Sequence, residues 1–181
     1  ICLGVLRVGA AFICLDRRGP AERNQTIVND AGLIWLVEDE QTNRAALTSV
    51  SRIFVASLFE SPRKPMAMGL PTFPEPSSLA YLVYTSGSSG QPKGVRIAHQ
   101  ALSEFVASTQ NVYAFCENDR VLQFAPWHFD TFIEELFCTL CFGGCLVIRQ
   151  DDDIQSVSHF LKQCEQRKIT VLDLPTAYWH E

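Results

Sequence analysis

The feature that most constrains the fold is an alternation running along nearly the whole 181-residue chain. Short, continuous apolar runs of strand length are separated by stretches with helical spacing. The runs at 11–15, 33–37, 52–56, 79–84, 95–98, 121–124, 145–148 and 170–174 read as strands. Residues 1–9, 20–31, 99–113, 130–142 and 154–167 read as helices. A strand apolar along its length is covered on both faces, as in a parallel sheet flanked by helices. The expected class is therefore α/β with mostly parallel sheets. Pro20 suits the first position of the second helix, where its missing N–H costs nothing. Leu102, Phe105, Val106 and Thr109 share one face of the helix over 99–113. Five prolines lie between Ser61 and Ser78, so residues 61–78 read as a connection. It separates a βα portion at 1–60 from a longer portion at 79–181.

Composition narrows the function classes. With 47% hydrophobic and 19% charged residues, the chain has the balance of a soluble globular protein, long enough to bury a core. A net charge of −5 and the lack of a basic run argue against a nucleic-acid partner. No apolar stretch reaches the roughly 18 residues that span a bilayer, and no signal peptide is evident. A cytoplasmic protein without a membrane partner is expected. The chain begins with Ile1, and both termini are expected to be cuts in a longer protein. Seven cysteines, an odd number mostly within apolar runs, suit buried thiols in a reducing compartment. Cys138 and Cys141 have CxxC spacing with Cys145 nearby, but the segment reads as an apolar helix, so packing is expected rather than zinc. Asp151, Asp152 and Asp153 precede a helix, where negative charge favours the dipole.

The most informative stretch is Tyr84-Thr85-Ser86-Gly87-Ser88-Ser89-Gly90-Gln91-Pro92-Lys93-Gly94. Glycines let backbone N–H groups approach an anion, hydroxyls donate to phosphate oxygens, and lysine adds a mobile point charge. The combination fits a polyphosphate. It is not the GxxxxGK[ST] loop, because Pro92 stands where glycine is needed and Gly94 where Ser or Thr is needed. A plain Ser/Gly linker is the bland alternative, opposed by the strand-like runs on either side.

Residues 79–94 closely resemble the phosphate-binding signature of the adenylate-forming superfamily: acyl-CoA synthetases, luciferases and the amino-acid-activating (adenylation) domains of nonribosomal peptide synthetases. Leu6-Arg7-Val8-Gly9-Ala10-Ala11-Phe12, Leu15-Asp16 and Pro20-Ala21-Glu22-Arg23 look like an upstream motif of the peptide-synthetase branch. Phe129-Asp130, Glu135-Leu136-Phe137, Gly143-Gly144 and Leu174-Pro175-Thr176 fit the same branch. Cys14 replaces a customary proline, and Ser88 and Ser89 replace commoner threonines while keeping the hydroxyls.

The resemblance implies a fragment of the family's large N-terminal domain. The motifs for adenine, ribose and magnesium, and the small C-terminal domain with its catalytic lysine, are expected beyond Glu181. No catalytic residue is expected within the chain, and the chain alone is expected to be inactive. The implied reaction is ATP-dependent activation of an amino acid as aminoacyl-AMP, then transfer to a carrier-protein phosphopantetheine thiol. ATP and Mg2+ are the implied cofactors. The implied partners are an amino-acid substrate, the carrier domain and neighbouring synthetase domains. By the resemblance, Thr85, Ser86, Gly87, Ser88, Ser89, Gly90 and Lys93 hold the β,γ-phosphates. Asp130 reads from the residues alone as a helix cap; the resemblance makes it the partner of the substrate's α-ammonium. The resemblance also makes Thr131 and Glu134 pocket positions, with Trp127 and His128 either lining the wall or belonging to the core. Glu134 lies one helical turn from Asp130, and a buried carboxylate there would favour a cationic substrate such as ornithine or lysine, or a strong hydrogen-bond donor. The alternative is that Glu134 tilts to solvent beside Glu135. An acyl- or aryl-CoA ligase and a non-catalytic remnant are the competing readings of the whole chain.

Overall fold

The computed structural model describes residues 1–39, 47, 49–60, 73–86 and 90–180. They divide into two compact units, Ile1–Ile97 and Ala98–Glu181.

The first unit contains α1 (Cys2–Arg7), β1 (Phe12–Ile13), α2 (Ala21–Ala31), β2 (Trp35–Glu38), β3 (Ser51–Phe54), α3 (Val55–Glu60), β4 (Leu79–Ser86) and β5 (Pro92–Ala98, whose last residue passes into the second unit). β4 is the middle strand of the sheet β1-β4-β5. It pairs in parallel with β1, placing Phe12 opposite Tyr81, and the two rings stack at 5.7 Å. β2 and β3 form a separate parallel pair. Helix α2 buries Asn24, Ile27 and Val28. The Asn24 amide donates to the Asp16 carbonyl at 2.9 Å, tying the helix to the turn before it. Gly32, at φ 62°, takes the left-handed conformation that closes α2 and that glycine adopts without strain. Pro20 is the N-cap, one residue before the expected first position. The expected strand over 52–56 stops at Phe54, and Val55 opens α3 instead. A short apolar run does not by itself distinguish strand from helix.

The second unit contains α4 (His99–Tyr113), β6 (Arg120–Gln123), α5 (Asp130–Cys141), β7 (Cys145–Ile148), α6 (Val157–Gln166) and α7 (Thr176–Trp179). β6 and β7 pair in parallel, Val121 opposite Leu146. Leu122, Phe124 and Phe160 form the centre of the core, with Val147, Cys164, Ile169, Leu172, Leu174 and Tyr178 packed against it. The Phe124, Phe160 and Tyr178 rings meet with centroids 5.1–5.8 Å apart. The strand expected over 170–174 reduces to one bridge, Val171 beside Val121. Thr170 N–H donates to Arg120 O at 2.9 Å and Leu122 N–H to Val171 O at 3.2 Å. Pro175 then has no N–H to extend the ladder and caps α7.

Four further expectations are corrected. The helix over 154–167 begins at Val157, because the Ser156 hydroxyl accepts the His159 N–H at 3.2 Å as an N-cap. The preceding acidic run forms its own 3-10 turn, Asp151–Ile154, so the capping expected of it falls on this turn rather than on α6. Asp153 is buried, accepts the Gln150 N–H at 2.6 Å and pairs with both Arg167 guanidinium nitrogens at 2.7 and 2.8 Å. Phe105 is exposed, whereas Leu102, Val106 and Thr109 are the buried residues of α4. Cys138 is buried with its sulfur 3.1 Å from the Thr109 hydroxyl, but Cys116, Cys141 and Cys145 are exposed. Membership of an apolar run does not say which face of an element a thiol takes.

Candidate functional site

The phosphate-loop residues grow out of the central sheet of the first unit. β4 runs to Ser86, so Thr85 and Ser86 end a strand rather than begin a loop. β5 resumes at Pro92 and carries Lys93. Thr85, Ser86, Gly90 and Lys93 are exposed, and the Thr85 hydroxyl reaches the Lys93 carbonyl at a long 3.5 Å. Gly90 adopts φ 79°. Lys93 has no acidic partner among the described residues. Gly87, Ser88 and Ser89 lie outside the described residues. The arms therefore present two hydroxyls and one unpaired cation to solvent, a donor set suited to an anion.

The substrate-side residues lie on α5 in the second unit. Phe129 is the N-cap, and Asp130 is the first residue of the helix. Its carboxylate accepts the Thr131 N–H at 2.9 Å. Asp130 is exposed, where a buried helix start was expected, and it sits in the first turn, favourable to negative charge. Thr131 and Glu134 are half-buried. Burial first, then the charges of Asp173 and Asp130, push the Glu134 carboxyl above its ordinary range. Asp173 follows the Val171 bridge in the segment beside β6, so it approaches α5 from an element remote in sequence. Among the described residues no cation pairs with Asp130, Glu134 or Asp173.

Glu135, beside which the alternative reading tilted Glu134 to solvent, is itself 2% exposed. One of its oxygens accepts the N–H groups of both Phe124 and Ala125 at 2.9 Å. Burial drives its carboxyl up to about 7, against the lowering effect of those bonds and of Gln123. Gln123 in turn donates to Ala125 O and accepts the Trp127 indole N–H at 3.0 Å. This network shapes the turn that delivers Trp127, His128 and Phe129 to the start of α5. Trp127 stacks on Phe132 at 5.7 Å and 8° and remains 54% exposed. The signal for Glu135 in the sequence was its place at i and i+3 beside Phe132 and Cys138, on the apolar face of the helix. Asp173 had no local signal, since only tertiary folding brings it near Glu134.

Parallel strand pairs alternating with helices define an α/β protein, in which β4 and β5 carry the hydroxyls and the lysine that flank a glycine-rich stretch. The chain belongs to the AMP-binding enzyme family, whose profile matches residues 1–181. It is 44% identical to an isonitrile lipopeptide synthase of Streptomyces coeruleorubidus, over 99% of this chain and 12% of the relative. A holo four-domain nonribosomal peptide synthetase, AB3403, bound to AMP and glycine, superposes with a TM-score of 0.79 at 26% identity, over 98% of this chain and 13% of that one. The O-succinylbenzoate coenzyme A synthetase MenE of Bacillus subtilis, in complex with ATP and magnesium ion, superposes at 0.83 and 21% identity, over 97% and 36%. The last likeness bears on fold alone. The chain thus spans a small part of the curated relative it matches. No helix among the described residues is long and apolar enough to cross a membrane.

Proposed function

We propose that the parent protein activates an amino acid with a cationic side chain as its aminoacyl-adenylate and passes it to a carrier-bound phosphopantetheine thiol. In the first step a substrate carboxylate oxygen attacks the α-phosphorus of ATP, and the bond to pyrophosphate breaks. In the second the thiol attacks the acyl carbonyl and AMP leaves. Thr85, Ser86, Gly87, Ser88, Ser89, Gly90 and Lys93 take the β,γ-phosphates, whose remaining charge magnesium bound to ATP would offset. Asp130 takes the α-ammonium, and Thr131 and Glu134 face the substrate side chain.

The observation that carries the amino-acid reading is the charge balance at the start of α5. Burial, then the charges of Asp173 and Asp130, raise the cost of ionising Glu134, and no described cation relieves it. A monocarboxylic acyl substrate would leave that charge unpaired, whereas an amino acid with a second ammonium supplies two cations. The peptide-synthetase relatives support the same reading. In pyrophosphate exchange with the parent protein, lysine, ornithine or another cationic amino acid is expected to be the best substrate. Glu134→Gln should lower kcat/KM for it by about tenfold to a hundredfold, the loss of one charge-assisted contact. A preference for leucine, valine or glutamate that Glu134→Gln leaves untouched would overturn the cationic assignment.

A further inference from the structure

Tyr84 is the last buried side chain of β4 before the phosphate loop. Its hydroxyl donates to a carboxylate oxygen of Asp30 at 2.6 Å, the short distance of a charge-assisted O–H···O bond. Asp30 lies in the last turn of α2, 54 residues earlier in the chain. The same ring presses on the opposite arm of the loop. A Cβ added to Gly94 would stand 2.9 Å from the ring carbon bearing the hydroxyl and 3.0 Å from the hydroxyl oxygen. Glycine at 94 is thus required by the tyrosine, since any side chain would displace either the ring or β5. Tyr84 immediately precedes Thr85, and Gly94 immediately follows Lys93. One aromatic side chain therefore touches both arms at the point where the phosphate-binding residues begin and end, and a helix from another part of the unit holds its tip.

We infer that Tyr84, anchored by Asp30 and packed under Gly94, is a positioning residue that sets the separation of Thr85 and Lys93 for the ATP phosphates. The inference rests on the phosphate-binding reading of the loop. The bond to Asp30 pins the hydroxyl end of the ring sideways, which packing against a flat glycine backbone alone does not. Desolvation and the Asp30 charge both hold the phenol in its protonated, donating form, with its pKa raised to about 12. The link is therefore intact throughout the physiological range.

The test uses the full-length parent protein and pyrophosphate exchange, with KM for ATP, KM for the amino acid, kcat and the unfolding temperature measured for each variant. Tyr84→Phe keeps the ring and removes the bond; Asp30→Ala removes the acceptor from an exposed helix position; Asp30→Asn keeps an acceptor oxygen. Tyr84→Phe and Asp30→Ala are each expected to raise the KM for ATP about tenfold, as for one lost charge-assisted hydrogen bond. KM for the amino acid and kcat should change by less than about twofold, and the double variant should be no worse than either single one. Asp30→Asn should recover most of the ATP affinity. An unchanged KM for ATP in either single variant, additive losses in the double variant, or a fall in kcat and both affinities together with a lower unfolding temperature would each overturn the inference. Lys93→Ala separates this from the reading beneath it. If Lys93→Ala leaves ATP use unchanged, the phosphate-binding reading itself falls. If Lys93→Ala raises the KM for ATP and Tyr84→Phe does not, only the role of Tyr84 falls.

Discussion

Glu135 ties the start of α5 to the end of β6 by accepting two backbone N–H groups from one carboxylate oxygen. Those bonds favour the ionised form, but burial outweighs them and raises the carboxyl from an ordinary 4.5 to about 7. Below about pH 4.5 the group is protonated in both the folded and the unfolded chain. Between 4.5 and 7 the unfolded chain has lost the proton that the folded chain keeps. The stability linked to Glu135 is therefore fully present at low pH and lost as pH rises through about 7, a change of roughly 3 kcal/mol at most. Thermal unfolding of the chain followed across this window should show the decline, and Glu135→Gln should flatten it. A profile that Glu135→Gln leaves unaltered would show that another group sets it. The sequence marks the difference only by spacing: Glu135 lies three residues from both Phe132 and Cys138 on the apolar face, and Glu134 does not. What separates Glu134 from Glu135 is the helical face each occupies, and the face is chosen by α5 packing on β6.

At the scale of elements, helix ends are decided by hydrogen bonds that the chain supplies locally or from a distance. Ser156 and Gly32 are local signals, and the helices begin or end beside them. The turn Asp151–Ile154 is held from a distance, because Arg167 beyond the end of α6 reaches back to the buried Asp153 carboxylate. Breaking that pair leaves a guanidinium, itself part-buried, without its partner and also frees the Gln150 N–H. Asp153→Ala is expected to destabilise the chain by about 3 kcal/mol, the low end for a broken buried pair. Denaturant unfolding measures this directly, and a loss below about 1 kcal/mol would assign the pair the small value of a surface contact.

At the scale of the whole molecule, the residues assigned to phosphate and to substrate fall in different compact units. The chain represents 12% of the peptide-synthetase relative and 36% of the coenzyme A synthetase. Large apolar side chains are also left in solvent, Phe73 at 95% and Phe59 at 77% exposed. A catalytic centre built by a whole adenylate-forming domain is not expected to be complete in 181 residues. Purified residues 1–181 should show no amino-acid-dependent pyrophosphate exchange, while the parent protein does. Turnover by the isolated chain would mean that the residues named here suffice.

The α/β class, the order of most elements and the phosphate-loop arms were legible in the sequence, because each rests on local chemistry. Continuous apolar runs mark strands, although β2, β3 and β7 are only partly buried, and a proline and glycines mark the break between β4 and β5. Lengths and edges were legible only where a capping residue or a proline stood beside them. Other features depended on contacts between segments far apart in the chain. Among the described residues the paired strands divide into three small sheets. Asp153 is buried and paired with Arg167, Asp173 lies near Glu134, and Tyr84 is clamped between Asp30 and Gly94. Burial and charge proximity are properties of the assembled fold, so no window of sequence contains them; tertiary packing alone decided which polar side chains became structural and which remained open to a ligand.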